Sequence, residues 1–128
     1  MPRFVSLLFI LSTIALAQDA KVTPLLTKDL TGIASVPQEG MMLTVEYGPG
    51  GSSAQHMHNA YTFVYVLDGS VVMQVKGGKE VTLVAGESFY ESPDDIHTVS
   101  RNASTTKPAK ILVFFVKKKG APVTVPAK

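Results

Sequence analysis

Gly50-Gly51-Ser52-Ser53-Ala54-Gln55-His56-Met57-His58-Asn59-Ala60-Tyr61-Thr62-Phe63-Val64-Tyr65-Val66-Leu67-Asp68-Gly69 joins a glycine-rich turn, a histidine pair and a strand. Residues two apart on a strand project to one face, so His56 and His58 can chelate a single ion. His97 stands at the end of another short strand-like run, and the chain contains no other histidine. All three can therefore be assigned to one site. Thr62 to Leu67 is β-branched and aromatic, and Asp68-Gly69 is a hairpin turn signal. If His56, His58 and Thr62 face inward, Val64 and Val66 do too. Phe63, Tyr65 and Leu67 then face outward, yet they are just as apolar. A strand apolar on both faces needs cover on both, from the N-terminal segment or from a second subunit. A homodimer is the expectation.

Outward from this stretch the chain reads as short strands and turns, with no helix. Met41 to Tyr47 ends in Gly48-Pro49-Gly50-Gly51. Ser70 to Val75 is expected to pair back on the preceding strand, and Gly77-Gly78 turns the chain into Glu80 to Val84. Ala85-Gly86 leads to Ser88 to Glu91, then come His97 to Arg101, a polar loop, and Ala109 to Val116. Such spacing argues for an all-β sandwich or barrel. Residues 18–39 and 117–128 read as an N-terminal extended arm and a C-terminal tail, because Pro24, Pro37, Pro122 and Pro126 resist regular structure. No tandem repeat or low-complexity tract is visible.

The first residues carry the marks of a leader. Arg3 gives a positive start, Phe4 to Ala17 an apolar run, and Ala15-Leu16-Ala17 a small-residue cleavage site, so residues 1–17 are expected to be a cleaved signal peptide. A retained anchor is the alternative, but the run is short for the ~20 apolar residues of a span. The mature chain of 111 residues is then one domain with a modest core, exported to a periplasm or the medium. Its net charge falls from +2 to +1. The one basic cluster, Lys117-Lys118-Lys119, has no interleaved aromatics and reads as a solvated strand end; no nucleic-acid partner is expected, and no membrane after cleavage. With no cysteine, neither disulfides nor thiolate ligands are available.

These residues resemble a small single-domain bacterial cupin of the type-2, RmlC-like kind, over about residues 40–116. The family's first motif is a glycine, five residues, H-x-H, three or four residues, a glutamate, six residues and a glycine. Gly50, His56, His58 and Gly69 fall at those places, but Thr62 stands where the glutamate belongs. The second motif is a glycine, five residues, P-x-G, two residues and a histidine. Gly86 and His97 keep its spacing, while Ser92 and Asp94 replace the proline and glycine. Asp94 is expected to make the glycine's turn, since aspartate tolerates positive φ. An asparagine that often follows is displaced to Asn102. The resemblance implies a cupin-type double-stranded β-helix, a jelly-roll barrel, with metal ligands at His56, His58 and His97.

Three neutral imidazoles leave a divalent ion its full charge and open positions. Thr62 cannot supply the missing carboxylate; a water bound to it could fill the vacant place, and Thr62→Glu is expected to tighten metal binding. Zinc, iron, manganese, nickel and copper all remain candidates. Ring nitrogens are expected to converge within roughly 3–4 Å of one another, around a shared ion about 2.0–2.2 Å away. Glu91 and Asp95 could lend a carboxylate, but Glu91 reads as a solvated strand residue and Asp94 and Asp95 as turn formers. Gln55 and Tyr61 read as surface or packing residues, and Met57, Met73 and Phe89 as core. No general base, G-x-S-x-G or phosphate loop is evident. The function expected is metal and small-molecule binding, with a dioxygenase-like activity as one reading. Non-catalytic small-molecule binding, and a metal-free structural barrel whose histidines hold nothing, are the others.

Overall fold

Each strong strand alternates in burial, and that alternation closes the chain into two packed layers. The structure, a computed structural model, describes residues 20–127, so the expected signal peptide lies outside the described residues. Ten strands follow in chain order: β1 (Lys21–Leu30), β2 (Gln38–Tyr47), β3 (His56–Met57), β4 (Ala60–Asp68), β5 (Ser70–Val75), β6 (Val81–Val84), β7 (Ser88–Glu91), β8 (His97–Asn102), β9 (Ala109–Lys118) and β10 (Val125–Pro126). They form two five-stranded antiparallel sheets, ordered β1-β2-β9-β4-β7 and β10-β3-β8-β5-β6. This is an all-β jelly roll.

In β4 the alternate residues Ala60, Thr62, Val64 and Val66 are buried, and Tyr61, Phe63, Tyr65 and Leu67 are exposed. The inward parity expected from His56 and His58 is therefore correct. β9 repeats it with Ala109, Ile111, Val113 and Phe115, and β2 contributes Leu43, Val45 and Tyr47 opposite them. Val71 and Met73 of β5 close the core from the other sheet. Burying such apolar side chains contributes roughly 1.5–3 kcal/mol each, which is what holds the layers together.

Three expectations about chain path need correcting. Asp68-Gly69 is not a hairpin that folds β5 onto β4. The chain crosses there to the other sheet, where β5 pairs with β6 and β8. Gly69 sits at φ 71°, and a Cβ on it would lie 2.6 Å from the Pro108 carbonyl oxygen, so only glycine makes this corner. The expected N-terminal arm is regular over Lys21–Leu30: β1 pairs along its length with β2, accommodating Pro24 by an irregularity between Pro24 and Leu26. Being an edge strand of the first sheet, β1 does not cover the outer face of β4. The C-terminal segment likewise returns as β10 against β3.

Lys117, taken from sequence as solvated, is buried. It continues the inward parity of β9, faces its register partner Glu39, and donates to that carboxylate and to the Ala121 carbonyl at 2.6 Å. Lys119 pairs with Asp29 at the surface. Asp94 does not take a positive φ; among the described residues Asn59 is the only non-glycine that does, at 49°. The turn before β8 is instead closed by Asp95, whose carboxylate accepts from the Ser92 amide at 2.7 Å. Asn102 accounts for its own displacement. Its buried amide donates to the carbonyls of Tyr47, Gly48 and Lys107 and accepts from Ser104, pinning two loops.

Candidate metal centre

Two cross-strand pairs, one from each sheet, build the site. His56 of β3 lies opposite His97 of β8, and Thr62 of β4 lies opposite Glu91 of β7. His58 follows β3 at the point where the chain crosses to β4, and the left-handed Asn59 makes that crossing. Asparagine is among the few side chains that accept such a conformation. One ring nitrogen from each of His56, His58 and His97 lies within 4.8 Å of the others. The ring centroids are 4.6, 5.0 and 6.5 Å apart.

Backbone carbonyls fix the tautomers of two rings. His56 Nδ1 lies 2.6 Å from the Ala54 oxygen and His58 Nδ1 lies 2.7 Å from the Val123 oxygen. A carbonyl can only accept, so both Nδ1 atoms carry the hydrogen and both Nε2 atoms are left as lone pairs. Those two Nε2 atoms face one another at 3.1 Å. Two lone pairs at that distance repel unless a cation sits between or beside them. Burial pushes the pKa of both imidazoles below their ordinary value, against the opposing pull of the carbonyl contacts and the Glu91 charge. Burial thus favours the neutral form of both rings.

The expected 3–4 Å convergence is met by His56 and His58. The wider spread of the full set exceeds the ~4.2 Å that two Zn–N bonds of about 2.1 Å can span. Binding a common ion would draw the three rings together. Both ring nitrogens of His97 are buried and without a hydrogen bond. Phe89 stacks on the His97 ring at 6.0 Å, and Phe115 lies 5.0 Å from the His58 ring. In donor chemistry and orientation the three imidazoles suit a divalent transition ion.

Glu91 is not a solvated strand residue. It is 2% exposed, with Oε1 3.1 Å from His97 Nδ1 and Oε2 3.8 Å from His58 Nε2. Oε1 has no hydrogen bond, because the close His97 nitrogen is not aligned to make one. Thr62 is fully buried, and its hydroxyl donates to the Ala60 carbonyl at 3.3 Å, so its hydrogen is used on its own strand. No sequence signal marks Glu91 by itself: only the pairing of β7 against β4 places residue 91 beside residue 62, on the same face.

The site opens on a cavity of about 660 Å³, within the range of small-molecule sites. Its walls are mainly apolar, from Leu43, Val45, Val64, Met73, Ile111 and Val113. Sequence reading missed one polar patch on them. The Tyr47 hydroxyl contacts Ser100 at 2.6 Å and Ser53 at 3.2 Å. Burial raises the Tyr47 pKa, so it remains a neutral phenol there. Its shared parity with Leu43 and Val45 was the clue. Gln55 is exposed but reaches the cavity wall, Met73 is core as expected, and Val123 to Pro126 of the C-terminal segment close one side.

A family model described as Cupin domain matches residues 43–115. No curated protein matches the sequence. Among solved structures, an uncharacterized conserved protein with a double-stranded beta-helix domain from Klebsiella pneumoniae is 20% identical with a TM-score of 0.64, covering 86% of this chain and 85% of that one. Oxalate oxidase in complex with the substrate analogue glycolate is 23% identical, with a TM-score of 0.62, over 83% of this chain and 54% of that one. DMSP lyase DddQ from Ruegeria pomeroyi is 18% identical, with a TM-score of 0.60, over 69% of this chain and 43% of that one. This chain thus spans less than half the length of that lyase and about half that of the oxidase. At these identities the likeness is one of fold.

Proposed function

This chain belongs to the cupin family, and on that premise we propose that it is an exported protein holding a divalent metal ion through His56, His58 and His97 beside a pocket for a small organic ligand. The observation that carries the reading is the pair of Nε2 lone pairs, 3.1 Å apart, on two imidazoles whose Nδ1 hydrogens are committed to carbonyls. A divalent ion at that place supplies Lewis-acid polarisation of a ligand oxygen, and redox chemistry if it is iron, manganese or copper.

The protein's own residues supply the rest. The Ala54 and Val123 carbonyls hold two rings in the ligating tautomer, as outer partners of metal-bound histidines do. Apolar walls exclude water from the ligand body, and the Tyr47, Ser53 and Ser100 hydroxyls offer hydrogen bonds to a polar head. The ligand class is a compact molecule, mostly apolar, with an oxygen-bearing head. Turnover of such a molecule with dioxygen is the enzymatic form of this reading.

The test is elemental analysis of protein recovered from a periplasmic fraction without a nickel-affinity step. About one transition ion per chain is expected, and metal-free protein that takes up none on reconstitution would overturn the reading. Oxygen consumption over enediols, phenols and β-diketones then separates turnover from binding. For export, the mature amino terminus is expected at Gln18; an intact leader on the recovered protein would contradict it. A second copy of the chain is the proposed cover for Phe63, Tyr65 and Leu67, each more than 40% exposed on one sheet face beside Tyr90. Sedimentation should give a dimer, and Phe63→Lys with Tyr65→Lys a monomer.

A further inference from the structure

We propose that Glu91 is the fourth protein ligand of this metal centre, supplying from β7 the carboxylate that Thr62 lacks on β4. The inference rests on the metal-binding reading above and adds a residue to it. Residues directly opposite on antiparallel strands carry Cβ atoms about 4.5–5.5 Å apart and pointing to the same face. Thr62 and Glu91 are such a pair. A carboxylate rooted at 91 therefore enters the same interior region as one rooted at 62, from one strand further along the sheet.

Side-chain chemistry points the same way. His58 Nε2 is a bare acceptor, because its ring hydrogen is on Nδ1 and donates to Val123. Glu91 Oε2, 3.8 Å away, is a second acceptor, and His56 Nε2, 3.1 Å from His58 Nε2, is a third. Two acceptors thus face the His58 Nε2 lone pair, which is the arrangement a cation resolves. The remaining oxygen, Oε1, is buried and receives no hydrogen bond from protein. Burying a carboxylate in that state is costly unless a positive charge is close.

The competing role is that of an orienting partner, with Glu91 accepting from His97 Nδ1 and never touching the ion. Their 3.1 Å separation permits this, but the ring N–H is not directed at the oxygen. An orienting role also leaves unexplained why Oε2 faces the metal-side nitrogen of His58. The two roles differ in one respect: a ligand can be relocated to the facing strand, whereas an orienting contact to His97 cannot.

The experiment measures Co(II) affinity by chelator competition, with the visible absorption of the bound ion as a second readout. It compares wild type, Glu91→Gln, Glu91→Thr, Thr62→Glu and the exchange Thr62→Glu with Glu91→Thr. Loss of a ligand should weaken Co(II) by at least the roughly 10–100-fold seen when an outer partner is lost. Glu91→Gln and Glu91→Thr should both show this, with an altered spectrum. The exchanged variant should recover most of the affinity and the wild-type spectrum. Thr62→Glu alone should weaken binding, since it sets two carboxylates opposite each other, which reverses the expectation drawn from sequence. Thermal melts in chelator confirm that each variant folds, and Glu91→Gln preserves the side-chain volume. Wild-type affinity in Glu91→Gln, or an exchanged variant no tighter than Glu91→Thr, overturns the assignment while leaving the histidine site standing. A wild-type protein that binds no Co(II) overturns both.

Discussion

Inside one barrel, the buried polar groups of Lys117 and Glu39 satisfy each other, whereas those gathered at His58, His97 and Glu91 do not. The Lys117 ammonium has both a carboxylate and the Ala121 carbonyl, and Glu39 holds its partner across a register pair. Around Glu91 the polar atoms are just as deeply buried, yet Glu91 Oε1 and both His97 nitrogens lack a partner. The first cluster is complete without anything from outside. The second is left open by the protein's own groups, and on the proposed reading a cation completes it.

The largest effect should come from breaking the complete cluster. Lys117→Ala leaves Glu39 buried without its cation, and loss of a buried partner costs about 3–5 kcal/mol. Denaturant unfolding should show that loss, with metal affinity unchanged in the protein that remains folded. Next in size is His58→Ala, which should weaken metal by more than ~100-fold, or about 2.8 kcal/mol at 1.4 kcal/mol per tenfold. Chelator competition measures it, and the metal-free stability should change little in comparison. If instead His58→Ala unfolds the protein while Lys117→Ala does not, the roles of the two clusters are exchanged.

A subtler contrast comes from Glu91→Gln. In metal-free protein it removes an unpartnered buried charge and gives the His58 lone pair an N–H, so stability should rise by ~1 kcal/mol. Removing a charge from the Lys117–Glu39 pair has the opposite sign. The smallest effect is with pH. His56 and His58 have folded pKa values below their unfolded ones, so the unfolded chain binds protons first as pH falls. Their contribution to metal-free stability is full above about pH 6.5 and is lost progressively below it. Unfolding midpoints at pH 7.5 and 5.5 should show the decline, and replacing both histidines should flatten it.

Much of this was legible from residues alone. The turn signals and alternating runs located seven strands, and the H-x-H pair with His97 named three rings that do meet. What escaped was long-range register. Glu91 looks like any charged residue on a short strand until β7 is laid beside Thr62. Lys117 looks solvated until Glu39, far back in the chain, is seen to face it. Asp68-Gly69 marks a reversal in either case, but the local chain does not say which sheet receives the next strand. The tail shows the same limit: Val123 matters through one carbonyl, which carries no side-chain signal.

The most direct test is a crystal structure grown with Co(II), using the anomalous signal at the cobalt edge to locate the ion. The account predicts one peak about 2.0–2.2 Å from a nitrogen of each of His56, His58 and His97, with a Glu91 oxygen completing the set. A cobalt peak elsewhere, or the ring of His97 turned away from the other two, would contradict it.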